Sequence, residues 1–160
     1  MTQKIQVRPV TEKDRPWIKE LIEQAWHAEF VVAHKRTYYP EKLDGFIAVL
    51  QDKRVGLITL NQESQDCEIV TLNSLIPSQG IGTALLDSVI RHAGQQQCDR
   101  VWLATTNDNL NALRFYQKRG FTMVKIDPHS IDYARKLKPI PITGANGIPI
   151  QVEIELEYGL

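Results

Sequence analysis

The hydrophobic period of this chain changes from that of a strand to that of a helix across two glycines. A stretch that alternates from residue 67 to about 75 leads into the sequence PSQGIG, residues 77–82. The apolar residues of the predicted helix recur at the spacing of one helix face: Ile81, Leu85, Leu86, Val89, Ile90 and Ala93. The first N–H groups of a helix are unpaired and carry partial positive charge, and glycines let a ligand approach them closely. The turn is therefore a candidate phosphate site, although an isolated Gly-x-Gly more often makes a tight turn that binds nothing.

Two common phosphate motifs do not fit this turn. A P-loop requires a lysine directly after its last glycine, and Thr83 follows Gly82 here. A dinucleotide fingerprint requires a third small residue at position 85, where the chain has leucine, and it follows the first strand of a βαβ unit. Here the glycines follow the third strand of a predicted meander. A nucleotide-binding domain is therefore a distant alternative.

The first half of the chain predicts an antiparallel sheet with one helix. Residues 4–8 are predicted to form a short strand, and a helical stripe begins near Pro16. Residues 45–76 predict three strands in a meander, whereas residues 29–43 have no regular pattern beyond room for a short helix. Together with the second half, this predicts one domain over residues 1–160.

The second half predicts strand–helix units. The first helix is predicted to end near Gly94, and a second helix is predicted to be capped by Asn107 or Asp108 and ended by Gly120. Such βα crossovers predict neighbouring parallel strands. Residues 150–158 alternate cleanly as a final antiparallel strand. The predicted class is therefore α/β with a mixed sheet (α+β), and it is not doubly wound.

Composition excludes several classes of partner. Lysine plus arginine equals aspartate plus glutamate, with 19 of each, so there is no basic surplus for non-specific nucleic-acid binding. The first residues lack the apolar core of a secretory signal, and no apolar run approaches the ~20 residues of a membrane span. Two cysteines and four scattered histidines show no metal-binding spacing. We expect a cytoplasmic protein with reduced thiols that binds no nucleic acid, membrane or metal.

A second motif lies downstream of the glycine turn and helps to interpret it. The sequence NDNLNALRFYQKRGF has the spacing N-x-x-A-x-x-x-Y-x-x-x-G-F, which is made by Asn109, Ala112, Tyr116, Gly120 and Phe121. With GIGTALL and the strand order, the chain resembles the GNAT N-acetyltransferase superfamily from about Ile5 to Tyr158. The resemblance implies the GNAT acyl-CoA N-acyltransferase fold. In that fold, an antiparallel N-terminal meander is followed by a parallel central strand pair, with helices on both sides.

The resemblance implies acetyl-coenzyme A as the acetyl donor. Backbone amides of the turn would hold its pyrophosphate, and the end of the preceding strand would hold its pantetheine arm. The implied coenzyme-binding residues are Asn73, Ser74, Leu75, Gln79, Gly80, Ile81, Gly82, Thr83, Asn109, Ala112 and Tyr116. Asn109 is implied either to cap or orient the second helix facing the pantetheine arm, or to be a helix cap alone. The turn departs from the family pattern because it is about two residues short and has Pro77 where a glutamine or arginine is usual. A shorter turn is expected to affect coenzyme affinity.

The resemblance also implies catalytic residues for direct attack of an amine in a ternary complex. Tyr116 matches the tyrosine that faces the thioester sulfur, although it could instead only pack its helix on the sheet. Glu68 is the candidate base, because it begins the strand before the glycines and is expected to share a face with Val70 and Leu72. The alternative is that Glu68 forms a cross-strand ion pair or is an exposed strand carboxylate, with a water chain acting as the base.

Two irregular segments are expected to surround the acceptor, Phe30–Leu43 and Asp127–Pro149. Their basic residues suggest an acceptor with a carboxylate or phosphate, and a solubilising role is the alternative. The acceptor itself is a small-molecule amine or a protein amine, since fold does not specify it. A homodimer is possible. The rival function is an acyl-CoA-binding sensor of the same fold without turnover.

Overall fold

A computed structural model of the protein describes residues 4–160. The chain forms two compact units. The first contains the residues up to Val31, Tyr39–Val101 and Leu160, and the second contains Val32–Tyr38 and Trp102–Gly159. Within the described part of the chain, no helix is long and apolar enough to cross a membrane.

Residues 4–160 form nine strands and four α-helices. The strands are β1 (Gln6–Pro9), β2 (Val31–Ala33), β3 (Arg36–Tyr38), β4 (Asp44–Leu50), β5 (Lys53–Glu63), β6 (Asp66–Ser74), β7 (Arg100–Thr106), β8 (Thr122–Asp127) and β9 (Glu153–Gly159). The helices are α1 (Arg15–Trp26), α2 (Ile81–Gln95), α3 (Leu110–Lys118) and α4 (Ser130–Arg135). Short 3₁₀ turns lie before α1 and between β3 and β4.

The sheet of the first unit is the predicted antiparallel meander. Strands lie in the order β1-β4-β5-β6, and each neighbouring pair is antiparallel. The buried face of α1 packs against β4 and β5 through a core of Ile18, Leu21, Ile22, Val31, Ile47 and Leu57. Helix α2 packs on the face of the sheet that Gly56 of β5 occupies. A β-carbon added to Gly56 would lie 2.5 Å from Ile81 Cγ2. Glycine therefore lets α2 approach the sheet closely at its first turn.

The start of β7 shows that β6 and β7 run in the same direction. Asp99, directly before β7, donates its backbone N–H to the carbonyl of Gln65, directly before β6, at 2.6 Å. The next residues form an ion pair, because Arg100 lies 3.2 Å from the carboxylate of Asp66. Both strands thus begin at the same edge of the first unit, with α2 connecting them. This confirms the parallel pair that the βα pattern predicts.

The second unit contains β7, β9 and β8 in that order, with β9 antiparallel to β8. Tyr116 of α3, Phe121 and Tyr158 of β9 form a chain of ring contacts, with centroids 5.2 and 5.5 Å apart. These rings lie over the side of β9 that carries Ile154 and Leu156, both buried. The opposite side of β9 carries Glu153, Glu155 and Glu157.

The structure differs locally from the sequence prediction in two places. Residues 31–38 form a β-hairpin, β2–β3, where no regular pattern was expected. Asn109, and neither Asn107 nor Asp108, is the N-cap of α3. Helix α2 ends at Gln95, near Gly94 as predicted, and Gln97 just beyond it takes the left-handed conformation. At the start of α3, the Oδ1 of Asn109 accepts the Ala112 N–H, while Asn107 and Asp108 bond to the connection between β8 and β9.

Candidate active site

The glycine turn places an open helix N-terminus on the surface of the first unit. Gly80 is the N-cap of α2 with φ 74°, and residues 74–80 are all exposed. A β-carbon on Gly80 would have no atom within 4 Å, so the space in front of the helix is free. The first turn of α2 contains no acidic residue that would occupy its positive end. This arrangement is what an anion needs at a helix N-terminus.

Asn73 adds an unsatisfied polar atom beside this turn. Its side-chain Oδ1 is buried and has no hydrogen-bond partner among residues 4–160. Leaving a buried acceptor unpaired costs roughly 1–3 kcal/mol, so such atoms are rare unless a ligand or water completes them. Asn73 lies at the end of β6, directly before the exposed turn. The chain therefore fits a ligand that brings a hydrogen-bond donor to the end of β6.

A β-bulge in β6 determines which side chains share a face with Asn73. Thr59 pairs with Thr71 and Leu60 pairs with Ile69, so Val70 is the extra residue. Because the alternation is offset there, the face shared by Asn73 and Thr71 also carries Glu68. The hydroxyls of Thr59 and Thr71 hydrogen-bond at 2.6 Å on this face and are buried. A strip of polar side chains thus runs along β6 on the side of the sheet that α1 covers.

Glu68 is a buried carboxylate, but its strand neighbours differ from the sequence expectation. Its relative exposure is 2%. The expectation that Glu68 shares its face with Val70 and Leu72 is wrong, because the bulge places it with Thr71 and Asn73. The sequence contains no signal for the bulge, although a threonine at 71 within an apolar strand marks the polar face. Glu68 therefore has the burial expected of a base and more polar surroundings than predicted.

Tyr116 lies in the second unit on the buried side of α3. It is 4% exposed, and its ring meets those of Phe115 and Phe121 edge-on, with centroids 5.1 and 5.2 Å away. Burial raises the pKa of the Tyr116 phenol above its usual value. The phenol therefore stays protonated at neutral pH and can act as a hydrogen donor. The packing role and the donor role are compatible in this geometry.

Asn109 has two structural contacts at the start of α3. Its Oδ1 accepts the backbone N–H of Ala112 at 3.3 Å, which is an N-cap bond. Its Nδ2 donates to the hydroxyl of Thr105 at 3.1 Å, near the end of β7. The side chain therefore joins a strand end to a helix start. These contacts explain why asparagine opens the N-x-x-A-x-x-x-Y spacing.

The long connection between β8 and β9 is held down by polar contacts. Asn107 accepts the backbone N–H groups of Gln151 and Val152, and the carboxylate of Asp108 accepts that of Ala145 at 2.8 Å. Arg135 donates to the carbonyls of Pro141 and Ile150 at 3.0 and 3.1 Å. Arg135 is thus occupied by the connection itself, which weakens the case for an anionic acceptor drawn from its charge.

Comparison with known proteins shows to which family this fold and these motifs belong. The model of the acetyltransferase (GNAT) family matches residues 11–121. The chain belongs to the GNAT acetyltransferase family. This GNAT chain is 39% identical over 148 residues to the uncharacterized protein YdhI of Bacillus subtilis, with 91% of the chain and 92% of YdhI covered. The mixed α/β fold expected from the sequence resemblance is confirmed, and the GNAT chain is an acyltransferase.

Solved structures agree with the GNAT fold along nearly the whole chain. An IAA acetyltransferase from Bacillus cereus matches with a TM-score of 0.79 and 23% identity, covering 98% of this chain and 100% of that one. A GNAT family acetyltransferase from Elizabethkingia anophelis, with acetyl-CoA bound, matches with a TM-score of 0.71 and 24% identity, covering 98% of each chain. At these identities the likeness concerns the fold.

Proposed function

We propose that this GNAT chain transfers the acetyl group of acetyl-CoA to a primary amine by direct attack in a ternary complex. The observation that carries the proposal is the exposed positive end of α2 behind Gly80, whose first turn has no acidic side chain, in a chain of this family. We assign residues 1–160 to one acetyltransferase domain. Cytoplasmic location and a homodimer, both expected from the sequence, stay predictions.

The first unit supplies the residues for the donor's diphosphate and the nearby pantetheine. The backbone N–H groups from Gln79 to Thr83 belong to the turn and to the first turn of α2, where a diphosphate would bind favourably. The unpaired Oδ1 of Asn73 suits an amide N–H, and pantetheine has two amide groups. Ser74 and Leu75 would contribute backbone groups. Two structural neighbours are described as binding acetyl-CoA or CoA, which supports the same donor here.

Tyr116, with Asn109 and Ala112, is assigned to the thioester end of the donor. Bound acetyl-CoA supplies an activated acyl group whose leaving group is a thiolate. The Tyr116 phenol would donate its proton to that sulfur, and burial keeps the phenol protonated until then. Such a positioned acid contributes a factor of about 10² or more. Asn109 would orient α3, the helix that carries Tyr116.

Glu68 is assigned as the base that takes a proton from the amine. An alkyl amine has a pKa near ~10.4, so nearly all of it is protonated and non-nucleophilic at neutral pH. A buried carboxylate on a polar strand face can accept that proton directly or through water. The water-chain alternative requires no role for Glu68 in proton transfer. The two differ in the pH profile of a Glu68 variant.

Direct attack is favoured because the chain has no suitable nucleophile of its own among its cysteines. Cys67 and Cys98 are both buried free thiols. Burial raises the pKa of Cys67 to about 12, and burial also raises that of Cys98. Both thiols therefore stay protonated at neutral pH. An acetyl-cysteine intermediate is thus not part of the proposal.

Calorimetry with acetyl-CoA and a thiol-release assay over a panel of amines test the proposal together. We expect saturable acetyl-CoA binding and amine-dependent release of CoA. Binding without release for any amine would favour an acyl-CoA sensor. No binding of acetyl-CoA would contradict the proposed diphosphate cradle, which consists of the backbone N–H groups of residues 79–83.

A further inference from the structure

A cleft on the first unit lies between the second half of α2 and the sheet. Its volume is about 450 Å³, which is within the range of small-molecule sites. Strands β1, β4 and β5 supply its floor, and α2 supplies one wall. The wall begins at Ser88, eight residues and therefore ~12 Å along the helix from Gly80. The cleft thus uses the end of α2 that the proposed diphosphate cradle does not.

The wall of the cleft is a polar face of α2. Its residues recur at the i, i+3, i+4, i+7 spacing of one helix face, and they are Ser88, Arg91, His92 and Gln95. The apolar face that packs on the sheet is separate and includes Leu85, Val89 and Ala93. The wall therefore presents a hydroxyl, a guanidinium, an imidazole and a primary amide to the same space.

The floor of the cleft is apolar. Pro9 of β1 lies opposite Phe46 of β4 in the strand register, and Val7 and Leu60 extend the same floor. The Phe46 ring meets the imidazole of His92 edge-on, with centroids 5.7 Å apart. Floor and wall thus form an aromatic corner, which favours the packing of another ring.

Two side chains of opposite charge line the cleft without pairing with each other. Asp44 lies at the start of β4, two residues before Phe46 and on the same face, whereas Arg91 lies on α2. Both side chains are exposed. Among residues 4–160, neither the Asp44 carboxylate nor the Arg91 guanidinium forms a hydrogen bond or an ion pair. Each can therefore bind a ligand group without losing an existing contact.

The cleft and the polar strip that contains Glu68 lie on opposite faces of the same sheet. Asp44 pairs with Leu60 in the β4–β5 register, whereas the neighbouring Thr59 pairs with Thr71 of the strip. Adjacent residues of a strand point to opposite faces, so the cleft opens on the α2 side and the strip lies on the α1 side. A molecule bound in the cleft is therefore separated from Glu68 by the sheet.

We propose that this cleft is a second small-molecule site, which binds a zwitterionic amino acid with an aromatic side chain. The ligand carboxylate would pair with the planar guanidinium of Arg91, which can donate two parallel hydrogen bonds to it. The ligand ammonium would pair with Asp44, and the ring would pack on Phe46. The site is independent of the proposed acetyl transfer, because it uses neither the diphosphate cradle nor the strip of Glu68.

Three ligands that differ by one charged group test the proposal: phenylalanine, 3-phenylpropanoate, which lacks the ammonium, and 2-phenylethylamine, which lacks the carboxylate. In ¹⁵N NMR titrations of the full chain without acetyl-CoA, we expect phenylalanine to shift the backbone amides of residues 44–46 and 91–92 saturably. Each of the other two ligands should bind there about fivefold or more weakly, because it loses one partly solvated charge pair. Equal or tighter binding of 3-phenylpropanoate, or no saturable shift at these amides, would overturn the proposal.

Two variants connect each charge of the ligand to one side of the cleft. Arg91→Gln should weaken phenylalanine binding about fivefold or more but should not weaken 2-phenylethylamine, which has no carboxylate. Asp44→Asn should weaken phenylalanine similarly but should not weaken 3-phenylpropanoate, which has no ammonium. Because both side chains are exposed and unpaired among residues 4–160, thermal unfolding should be nearly unchanged in both variants.

The matched control is Arg114→Gln, which removes the same charge from an exposed arginine of α3 outside the cleft lining. This variant should bind phenylalanine as the wild type does. Unchanged phenylalanine binding in R91Q would overturn the proposal. Equal weakening of phenylalanine and 2-phenylethylamine in R91Q would also overturn it, because the loss would then not involve the ligand carboxylate.

Discussion

The Nδ2 of Asn109 donates to the Thr105 hydroxyl at 3.1 Å, while its Oδ1 caps α3 at the Ala112 N–H. Replacing Asn109 with alanine removes both contacts and should lower the free energy of unfolding by about 1 kcal/mol. Asn109→Ser restores a capping oxygen but does not reach Thr105. Thermal unfolding of both variants, with acetyl-CoA calorimetry, separates the cap from the strand contact. Full recovery of stability and affinity in the serine variant would contradict a role for the strand contact.

The substitution Gly80→Ala tests the cradle directly. A β-carbon there meets nothing within 4 Å, so the structural cost is limited to the left-handed backbone, about 1 kcal/mol. The methyl group would occupy the space proposed for the diphosphate. We therefore expect acetyl-CoA affinity to fall at least about tenfold by calorimetry, which is more than the stability change explains.

The matched control for Gly80 is Gly94, in the same helix. Its β-carbon would also be free of contacts, but its backbone is helical. Gly94→Ala should therefore raise the free energy of unfolding by roughly 0.5–1 kcal/mol and leave acetyl-CoA affinity unchanged. Equal affinity losses in both variants would show that the cradle assignment is wrong.

Tyr116→Phe removes one hydroxyl from a ring that is otherwise held by aromatic contacts. The packing with Phe115 and Phe121 should persist, so acetyl-CoA affinity and the thermal midpoint should change little. We expect kcat for CoA release to fall about 10²-fold, because the leaving thiolate loses its proton donor. Steady-state kinetics with the best amine of the panel measure this. A kcat equal to that of the wild type across pH would remove Tyr116 from the mechanism.

The Glu68→Gln variant distinguishes a carboxylate base from a water chain. Glutamine is close in shape and can remain in the strip with Thr71 and Asn73, so the fold should be preserved. If Glu68 is the base, kcat/KM should fall about 10²-fold or more near neutral pH and recover partly at higher pH, where more amine is already neutral. An unchanged pH–rate profile would favour the water chain.

The environment of Asp14 predicts that the stability of the first unit falls at acidic pH. Its carboxylate is fully buried and accepts hydrogen bonds from Arg8 at 2.8 and 2.9 Å, from Arg54 at 2.9 Å and from the Thr11 N–H at 2.7 Å. Hydrogen bonding by Arg8 above all holds the pKa of Asp14 well below its usual range. Because the pKa of Asp14 is lower in the folded than in the unfolded state, its ionised carboxylate stabilises the folded state at pH values above the unfolded pKa of ~3.9. This stabilisation is lost as the pH falls below that pKa.

Denaturant unfolding of Asp14→Asn should therefore show a deficit of about 2 kcal/mol at pH 7 that shrinks below about pH 4. Glu12→Gln is the control, because the Glu12 side chain is 91% exposed in its pair with Arg15 and should change stability by less than about 0.5 kcal/mol. A deficit of D14N that stays constant from pH 7 to pH 3 would contradict the linkage argument.

The regular elements could be predicted because their signals are local. The apolar helical pattern after Gly80 predicted α2, and all the core residues predicted for this helix are buried or partly buried. The capping contact between Asp14 and the Thr11 N–H was also predictable from residues three apart. The spacing from Asn109 to Phe121 indicated the family, which the family model confirms over residues 11–121.

The chemistry of the acceptor side could not be predicted in this way. The bulge at Val70 depends on how β6 pairs with β5, and it moves Glu68 to the face of Thr71 and Asn73. The hairpin turn at His34 has no glycine or asparagine to indicate it. From the sequence, Arg135 was one of the basic residues that suggested an anionic acceptor. In the structure, its guanidinium donates to backbone carbonyls instead.

The sequence by itself determined the order of the elements outside residues 31–38, the exposed helix start at Gly80 and the family, because burial periodicity and motif spacing are properties of neighbouring residues. Only the tertiary structure decided which residues line the cleft beside α2 and which face Glu68 occupies. Strand register and cross-strand pairing join residues that are far apart in the chain. No local pattern contains that information, because it depends on which strands pair and in which register.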